Sequence, residues 1–292
     1  MSDRRCASQV NNIREVLRPD SVAAAWTARQ ENPSASRYLA GGIDLTLFSP
    51  AGVTCAIDLA GLGLSAIGRT DGKLAIGATA TLTQIRESEA VAEFADGFLC
   101  DVLGKVASPL QRNLATIGGT IASAHPWSDV VPALLVLDAQ LVMYDGMERS
   151  VPIHEYLADR GQAAVPLIVA VQIPQPGNEV RAAYETFART AFDVGMLNCA
   201  CALETVDGVC HAARIAVGGT PALAQRVAAA EGALVGQPLN PERIHAAALA
   251  AREAVAVRDD IRATAAYRRR LVPVIVTRCL QRIAAARRKD ER

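Results

Sequence analysis

Apolar and polar positions along the chain recur with two periods, and these divide it into short strands and helices. Ser21 to Gln30, after Pro19-Asp20, predicts a short helix, and Ser36 to Ala40 a strand that runs into Gly41-Gly42 and then Ile43-Asp44-Leu45-Thr46-Leu47. Cys55 to Leu59 predicts a second strand. Ala66 to Gly68 and Lys73 to Gly77 flank Thr70-Asp71-Gly72. Asp-Gly accepts positive φ angles, so this predicts a hairpin. Thr81 to Arg86 and Gly97 to Val106 have helical spacing. Ser108 to Ala122 reads as one dense loop, after which Asp129 is placed to cap a helix from Val130 to Leu137. Gln140 to Tyr144 and Glu148 to Val151 predict strands joined at Asp145-Gly146, and Leu167 to Ile173 a buried strand closed by Pro174.

Pro174-Gln175-Pro176-Gly177-Asn178 is the best candidate domain boundary. Beyond it come strands (Ala182 to Phe187, Leu197 to Thr205, Cys210 to Val217) and then helical patterns (Pro221 to Val235, Pro241 to Val257, Ala263 to Ala286). In the last of these Tyr267, Leu271, Val274, Ile275 and Ile283 lie near a 3.6 period. Strands followed by helices point to an α+β layer rather than alternating β-α units.

With 292 residues the chain has room for two or three cores. Thirty basic and thirty acidic residues cancel, and aromatics make up 4%. Neither the basic excess nor the stacking platform of a nucleic-acid binder is present. Seven cysteines, odd in number and without a C-x-x-C pair, argue against a disulfide framework, structural zinc or a self-contained iron–sulfur cluster. Cys199 and Cys201 fall on one face of a strand, where burial as small hydrophobes is the simplest reading. No stretch approaches the ~20 apolar residues of a membrane span, and Arg4-Arg5 has no apolar run behind it that would make an export signal. The expected location is the cytoplasm. Arg287, Arg288 and Lys289 suit the end of a helix dipole and read as a solvated tail.

The candidate chemistry lies in two glycine pairs, Gly41-Gly42 and Gly118-Gly119. Glycine lets successive backbone N–H groups converge on an anion, and two such turns facing one another could grip a pyrophosphate without a lysine. Each pair taken alone is more commonly an ordinary tight turn. Gly61-Leu62-Gly63-Leu64-Ser65-Ala66 matches the dinucleotide fingerprint G-x-G-x-x-A, but strand and turn residues follow where that motif opens a helix, which excludes a Rossmann unit. A P-loop is also absent. The four histidines are scattered; His125, between Gly119 and Asp129, is the one inside the candidate loop, where a packed or exposed role is the commoner reading. No catalytic triad or general base emerges from spacing.

The segment Gln111-Arg112-Asn113-Leu114-Ala115-Thr116-Ile117-Gly118-Gly119-Thr120-Ile121-Ala122 resembles the FAD-binding medium subunits of the xanthine dehydrogenase and carbon monoxide dehydrogenase family, the molybdenum hydroxylases. Asp129-Val130-Val131-Pro132 is similar to the family's Asp-x-x-Pro, and Leu39-Ala40-Gly41-Gly42-Ile43-Asp44-Leu45 to its first pyrophosphate loop. Arg214 to Pro221 and Tyr267-Arg268 resemble two later landmarks, so the likeness covers nearly the whole chain in the right order. It implies an α+β fold: a two-lobed FAD-binding domain of the vanillyl-alcohol-oxidase/PCMH type (lobes 1–56 and 57–177), then a C-terminal CO-dehydrogenase-flavoprotein-like α+β domain (178–292).

The resemblance further implies that FAD contacts Leu39, Ala40, Gly41, Gly42, Ile43, Asp44 and Leu45 on one side and Asn113, Thr116, Ile117, Gly118, Gly119 and Thr120 on the other. Asp129 would hydrogen-bond the polar tail of the flavin, and Ile168 would lie near its ring system. Thr186 stands where the family often has a lysine, and Thr120 where it usually has asparagine. Lysine near a flavin stabilises its anionic reduced form, so Thr186 leaves the potential and the acceptor open. The implied role is an oxidoreductase subunit that relays electrons. They would arrive from [2Fe–2S] clusters on a small subunit, after chemistry at a molybdenum cofactor on a large subunit. They would leave to NAD, a quinone, a cytochrome or oxygen. A stand-alone flavin oxidase and a non-catalytic interaction or maturation subunit are the alternatives.

Overall fold

The computed structural model describes residues 12–48, 52–159 and 165–290. The segment around Arg4-Arg5 and Cys6 lies outside the described residues, as do the side chains of Arg287, Arg288 and Lys289.

Twelve described strands form three sheets. β1 (Glu15–Leu17), β2 (Ser36–Leu39) and β3 (Cys55–Asp58) make a small parallel sheet in the order β1-β3-β2. The helix Val22–Glu31 crosses from β1 to β2, capped by the Ser21 hydroxyl on the Ala24 N–H. β4 (Ile67–Thr70), β5 (Lys73–Gly77), β6 (Gln140–Tyr144), β7 (Glu148–Pro152) and β8 (Leu167–Pro174) make an antiparallel sheet in the order β4-β5-β8-β6-β7. The hairpin read from Asp71-Gly72 is present, with φ of 52° and 69° at its two central residues. β9 (Val180–Phe187), β10 (Leu197–Val206), β11 (Val209–Gly218) and β12 (Gln225–Arg226) make the last sheet, also antiparallel.

Because side chains alternate along a strand, β10 serves two cores. Ala200 and Ala202 join the core that contains the helices Phe98–Lys105 and Val130–Val136. Leu197, Cys199, Cys201 and Leu203 join the core closed by the helices Pro241–Ala254 and Ala265–Asp290.

Four expectations need correction. Ser108 to Ala122 is not one loop: it holds the helices Pro109–Arg112 and Ile117–Ser123. The first carries a complete capping box between Ser108 and Gln111, and the second is capped by Thr116. Pro221 to Val235 is not one helix. Pro221 has a φ of 35°, Gln225–Arg226 pair with β11, and only Ala228–Gly232 are helical. The C-terminal helix buries Arg268, Val272, Ile275, Val276, Cys279, Leu280 and Ile283, whereas Tyr267 and Val274 of the expected stripe are exposed. Ile275 and Ile283 of that stripe are on the buried face, and the polar Arg268 takes the place expected of Tyr267. Asp129 occupies the N-cap position of Val130–Val136, but its side chain makes no cap bond.

Candidate functional site

The two glycine segments meet. Gly41 lies so close to the second segment that a Cβ there would come within 1.7 Å of the Leu114 carbonyl oxygen, so only glycine fits. Gly42 has a φ of +76°, a conformation that favours glycine for the separate reason of backbone strain. The helix Ile43–Phe48 starts directly after it. Among the described residues the N–H groups of Gly41 and Gly42 make no hydrogen bond. Asp44, in the first turn, accepts a 2.9 Å hydrogen bond from His125 Nε2. His125 in turn stacks on Trp127 at 4.5 Å, and Arg262 lies 4.9 Å over the other ring. His125 therefore ties the first segment, through Asp44, to the chain that follows the second. Leu39 lies under the turn, its Cδ1 3.4 Å from a Cβ built on Gly42; Ala40, Ile43 and Leu45 are half-buried around it.

The second segment is arranged differently from the expected nest. The N–H of Ile117 donates to Ala80 O, that of Gly118 to Ala78 O, that of Gly119 to Thr116 Oγ1 and that of Thr120 to Thr116 O. All four amides are thus committed inside the protein, and they do not converge on a free anion position. Gly118 is required by packing, since a Cβ would sit 2.7 Å from Ala78. A Cβ on Gly119 would approach Thr116 Oγ1 at 2.9 Å, so a large side chain there disturbs the helix cap as well as any ligand. Asn113 Oδ1 accepts a 2.6 Å hydrogen bond from Thr83.

Asp129 belongs to a buried polar group that the alternation of β9 and β10 explains. Tyr184, Thr186, Asn198 and Ala200 share one face, with Thr186 opposite Asn198 and Tyr184 opposite Ala200 in the register. Asp129 Oδ1 accepts from the Tyr184 hydroxyl and, at 2.9 Å, from Asn198 Nδ2. Asn198 Nδ2 also donates to Ser128 O at 3.1 Å, which leaves its buried Oδ1 without a donor. Thr186 Oγ1 is likewise buried without a hydrogen bond of normal geometry. Gly195 and Gly218 make room, since a Cβ on either would press to 2.8 Å on Thr186 Oγ1 or 2.5 Å on Asn198 Oδ1. Burial pushes the Asp129 carboxyl above the usual carboxylate range, against the opposing pull of Tyr184, Asn198 and the Lys105 ammonium. Burial and the neighbouring carboxylate push the Tyr184 phenol well up. Lys105 donates to Tyr184 O at 3.1 Å and lies 5.3 Å over its ring. A cation therefore does stand beside this group, contributed by the helix Phe98–Lys105 rather than by position 186.

Ile168 is buried opposite Met143 in the five-stranded sheet, in the same core as Ile117 and Ile121 of the second segment. Sequence reasoning missed Lys105, Tyr184 and Asn198 as members of the site. Asn198 had a usable signal: it is a polar residue next to the apolar run Cys199 to Leu203 on one strand.

Residues 9–176 match the model of the FAD binding domain in molybdopterin dehydrogenase, and residues 182–283 that of the CO dehydrogenase flavoprotein C-terminal domain. The chain belongs to the FAD-binding subunits of the molybdopterin dehydrogenase family. It is 29% identical to the 6-hydroxypseudooxynicotine dehydrogenase complex subunit alpha of Paenarthrobacter nicotinovorans, covering 89% of this chain and 91% of that one. With the xanthine dehydrogenase FAD-binding subunit of Escherichia coli the identity is 27%, over 92% and 95% of the two chains. Among solved structures, carbon monoxide dehydrogenase from Hydrogenophaga pseudoflava superposes with a TM-score of 0.87 at 26% identity, covering 93% of this chain and 97% of that one. As a member of this family the chain is the FAD-binding component of an oxidoreductase, and its fold is of the two-part type just named.

The residues present fit FAD in part. The free amides of Gly41 and Gly42, at a turn that admits no side chain at Gly41, suit a phosphate oxygen. The unpartnered Asn198 Oδ1 and Thr186 Oγ1 beside Asp129 suit a polar ligand with donors. The amides at 117–120 do not add to the first set, because they are already used.

Proposed function

We propose that this chain is the electron-transfer subunit of a heteromeric molybdenum hydroxylase, a cytoplasmic complex. It would take electrons from [2Fe–2S] clusters on a small subunit, with the molybdenum cofactor on a large subunit, and pass them to an external acceptor. The observation that carries the reading is the Gly41–Leu114 contact. It joins the two segments that the resemblance assigns to the cofactor into one rim, with two unspent amides on it.

In this reading Leu39 to Leu45 hold the pyrophosphate, chiefly through the amides of Gly41 and Gly42. Asn113, Thr116, Ile117, Gly118, Gly119 and Thr120 contribute shape and side-chain oxygens rather than a second set of amides. Asp129 accepts from the polar tail of the flavin through Oδ2, since Oδ1 is already engaged. Ile168 lines the ring system, and Thr186 supplies a hydroxyl where a lysine would supply charge. FAD, when bound, supplies the capacity to accept and release electrons singly or in pairs. The protein's residues bind it, keep water from it and set the charge around it. The three-way division at 1–56, 57–177 and 178–292 follows from the same reading.

Exposed Leu47, Phe48, Leu110 and Leu114 lie on and beside the two segments, and apolar side chains left exposed together suit a covering subunit. No helix among the described residues is long and apolar enough to cross a membrane.

The test is reconstitution with the two partner chains. Dithionite-reduced small subunit should bleach the flavin absorbance of this chain in rapid mixing, and an added acceptor should restore it. A flavin that stays oxidised beside reduced clusters in the assembled complex would refute the relay.

A further inference from the structure

We propose that Cys199, Cys201 and Cys279 form a buried three-sulfur site for one soft monovalent cation of the Cu(I) class. The site is independent of the flavin reading. It lies on the other face of β10 from Asn198, in the core closed by the C-terminal helix.

Cys199 and Cys201 are two residues apart on β10, so both sulfurs point to the same side. Cys279, from the helix Ala265–Asp290, comes down on them. All three residues are 0% exposed, and the three sulfurs lie within 4.8 Å of one another. Cys199 Sγ and Cys201 Sγ are 3.7 Å apart. A metal–thiolate bond of about 2.3 Å places the sulfurs of a planar three-coordinate centre about 4 Å apart. The Cys199–Cys201 separation is within a few tenths of an ångström of that, and neither separation to Cys279 exceeds 4.8 Å.

The donor set selects the cation. Three thiols converge, and among the described residues no His, Asp or Glu side chain joins them. A structural zinc ion takes four ligands and would lack one here. Soft sulfur donors in a set of three favour Cu(I). Binding releases thiol protons to solvent and places negative charge in a core, which needs a counter-charge. Arg282, one turn beyond Cys279, lies beside the cluster and is held by Glu185 at 2.8 Å. Loading replaces weak contacts only: Cys279 Sγ now donates to Cys199 O at 3.3 Å and Ala183 O at 3.8 Å. Because the sulfurs are sealed, the cation enters while the C-terminal helix is undocked, and it then staples that helix to the sheet.

The test uses the full-length chain, unfolded and refolded anaerobically with Cu(I) supplied as its acetonitrile complex, then challenged with a chromogenic Cu(I) chelator. The expected result is one Cu(I) retained per chain, three sulfur neighbours by X-ray absorption, and a raised midpoint of thermal unfolding. Cys201→Ala and Cys279→Ala should each weaken retention at least a hundredfold, while Cys55→Ala and Cys210→Ala leave it unchanged. Refolding is verified by far-UV circular dichroism. If Cys279→Ala does not refold, Cys201→Ala, which removes one small group from the strand, carries the comparison. Refolded wild type that keeps no copper, or a refolded Cys201→Ala that keeps it as tightly, overturns the site. Preferential uptake of Zn(II) over Cu(I) overturns the cation class.

Discussion

Arg268 offers the sharpest energetic prediction. It is the largest side chain that is fully buried, and every one of its nitrogens is engaged. Nε donates to Met196 O at 2.9 Å, Nη1 to Arg258 O at 2.7 Å and Ala263 O at 2.8 Å, and Nη2 to Asp260 Oδ1 at 2.7 Å. One guanidinium thus pins the 258–263 loop and the start of β10 to the C-terminal helix. Arg268→Met keeps most of the volume and deletes all four bonds. Removing one partner of a buried ion pair costs about 3–5 kcal/mol, and charge-assisted hydrogen bonds contribute about 1.5–3 kcal/mol each. Asp260 remains 22% exposed and can regain water, which places the expected loss near the middle of that range, about 4 kcal/mol. Arg268→Lys keeps the charge but has at most three donors in the wrong geometry, and should lose about half as much.

The assay is guanidinium unfolding followed by circular dichroism, with hydrogen exchange on β10 to localise the effect. The pH dependence is a second check. The Asp260 carboxyl is held at about 2 by the Arg268 guanidinium and the N–H groups of Ala263 and Arg262, which outweigh the cost of its partial burial. A depressed carboxyl pKa stabilises above its unfolded value of about 3.9, and that contribution is lost as pH falls towards 2. The gap between wild type and Arg268→Met should therefore narrow between about pH 4 and pH 2. A loss below about 1 kcal/mol at pH 7, or a gap that does not narrow in acid, would refute the reasoning.

Three further variants have expected outcomes. Gly41→Ala drives a methyl group into Leu114 O, separates the two segments, and should lower FAD affinity at least a hundredfold in equilibrium dialysis; affinity within threefold of wild type contradicts the close-contact account. Asp129→Asn keeps both bonds to Oδ1 and turns Oδ2 into a donor, so FAD should bind about 10- to 100-fold more weakly, the worth of one hydrogen bond to a charged group. A carboxyl raised in the folded state stabilises below its unfolded pKa and loses that contribution as pH rises, so cofactor-free Asp129→Asn should melt no lower than wild type at pH 7. Tyr184→Phe removes a donor that favours the Asp129 anion; flavin release on acidification should then begin at higher pH than in wild type, and identical release profiles argue against the pairing.

Much of the fold was legible because local rules and tertiary context agreed. The Asp71-Gly72 hairpin and the three long strands of the last sheet, β9 to β11, followed from turn chemistry and period. The failures have particular physical causes. Ser108 to Ala122 read as a loop because Pro109, Gly118 and Gly119 are poor helix formers, but Pro109 sits at a first helical position, where it costs little, and capping carries both short helices. The face of the C-terminal helix was misjudged because a buried arginine breaks the apolar stripe. For the site, the family motifs marked two segments that meet in the fold, but not which of their amides are free. That depends on Ala78 and Ala80, acceptors some 40 residues away in the chain, at positions 78 and 80 against 117 and 118. Tyr184 and Asn198 become partners of Asp129 only through the register of β9 and β10, which no local pattern encodes.

The central claim is that this chain holds FAD in the rim formed by its two glycine segments. The most direct test is the visible spectrum of the chain purified with its partner subunits, followed by identification of the cofactor released on heating. The account predicts one FAD per chain in wild type and little or none in Gly41→Ala complexes that assemble normally. A wild-type complex that is free of flavin and refuses added FAD would contradict it, as would a Gly41→Ala complex that keeps a full complement.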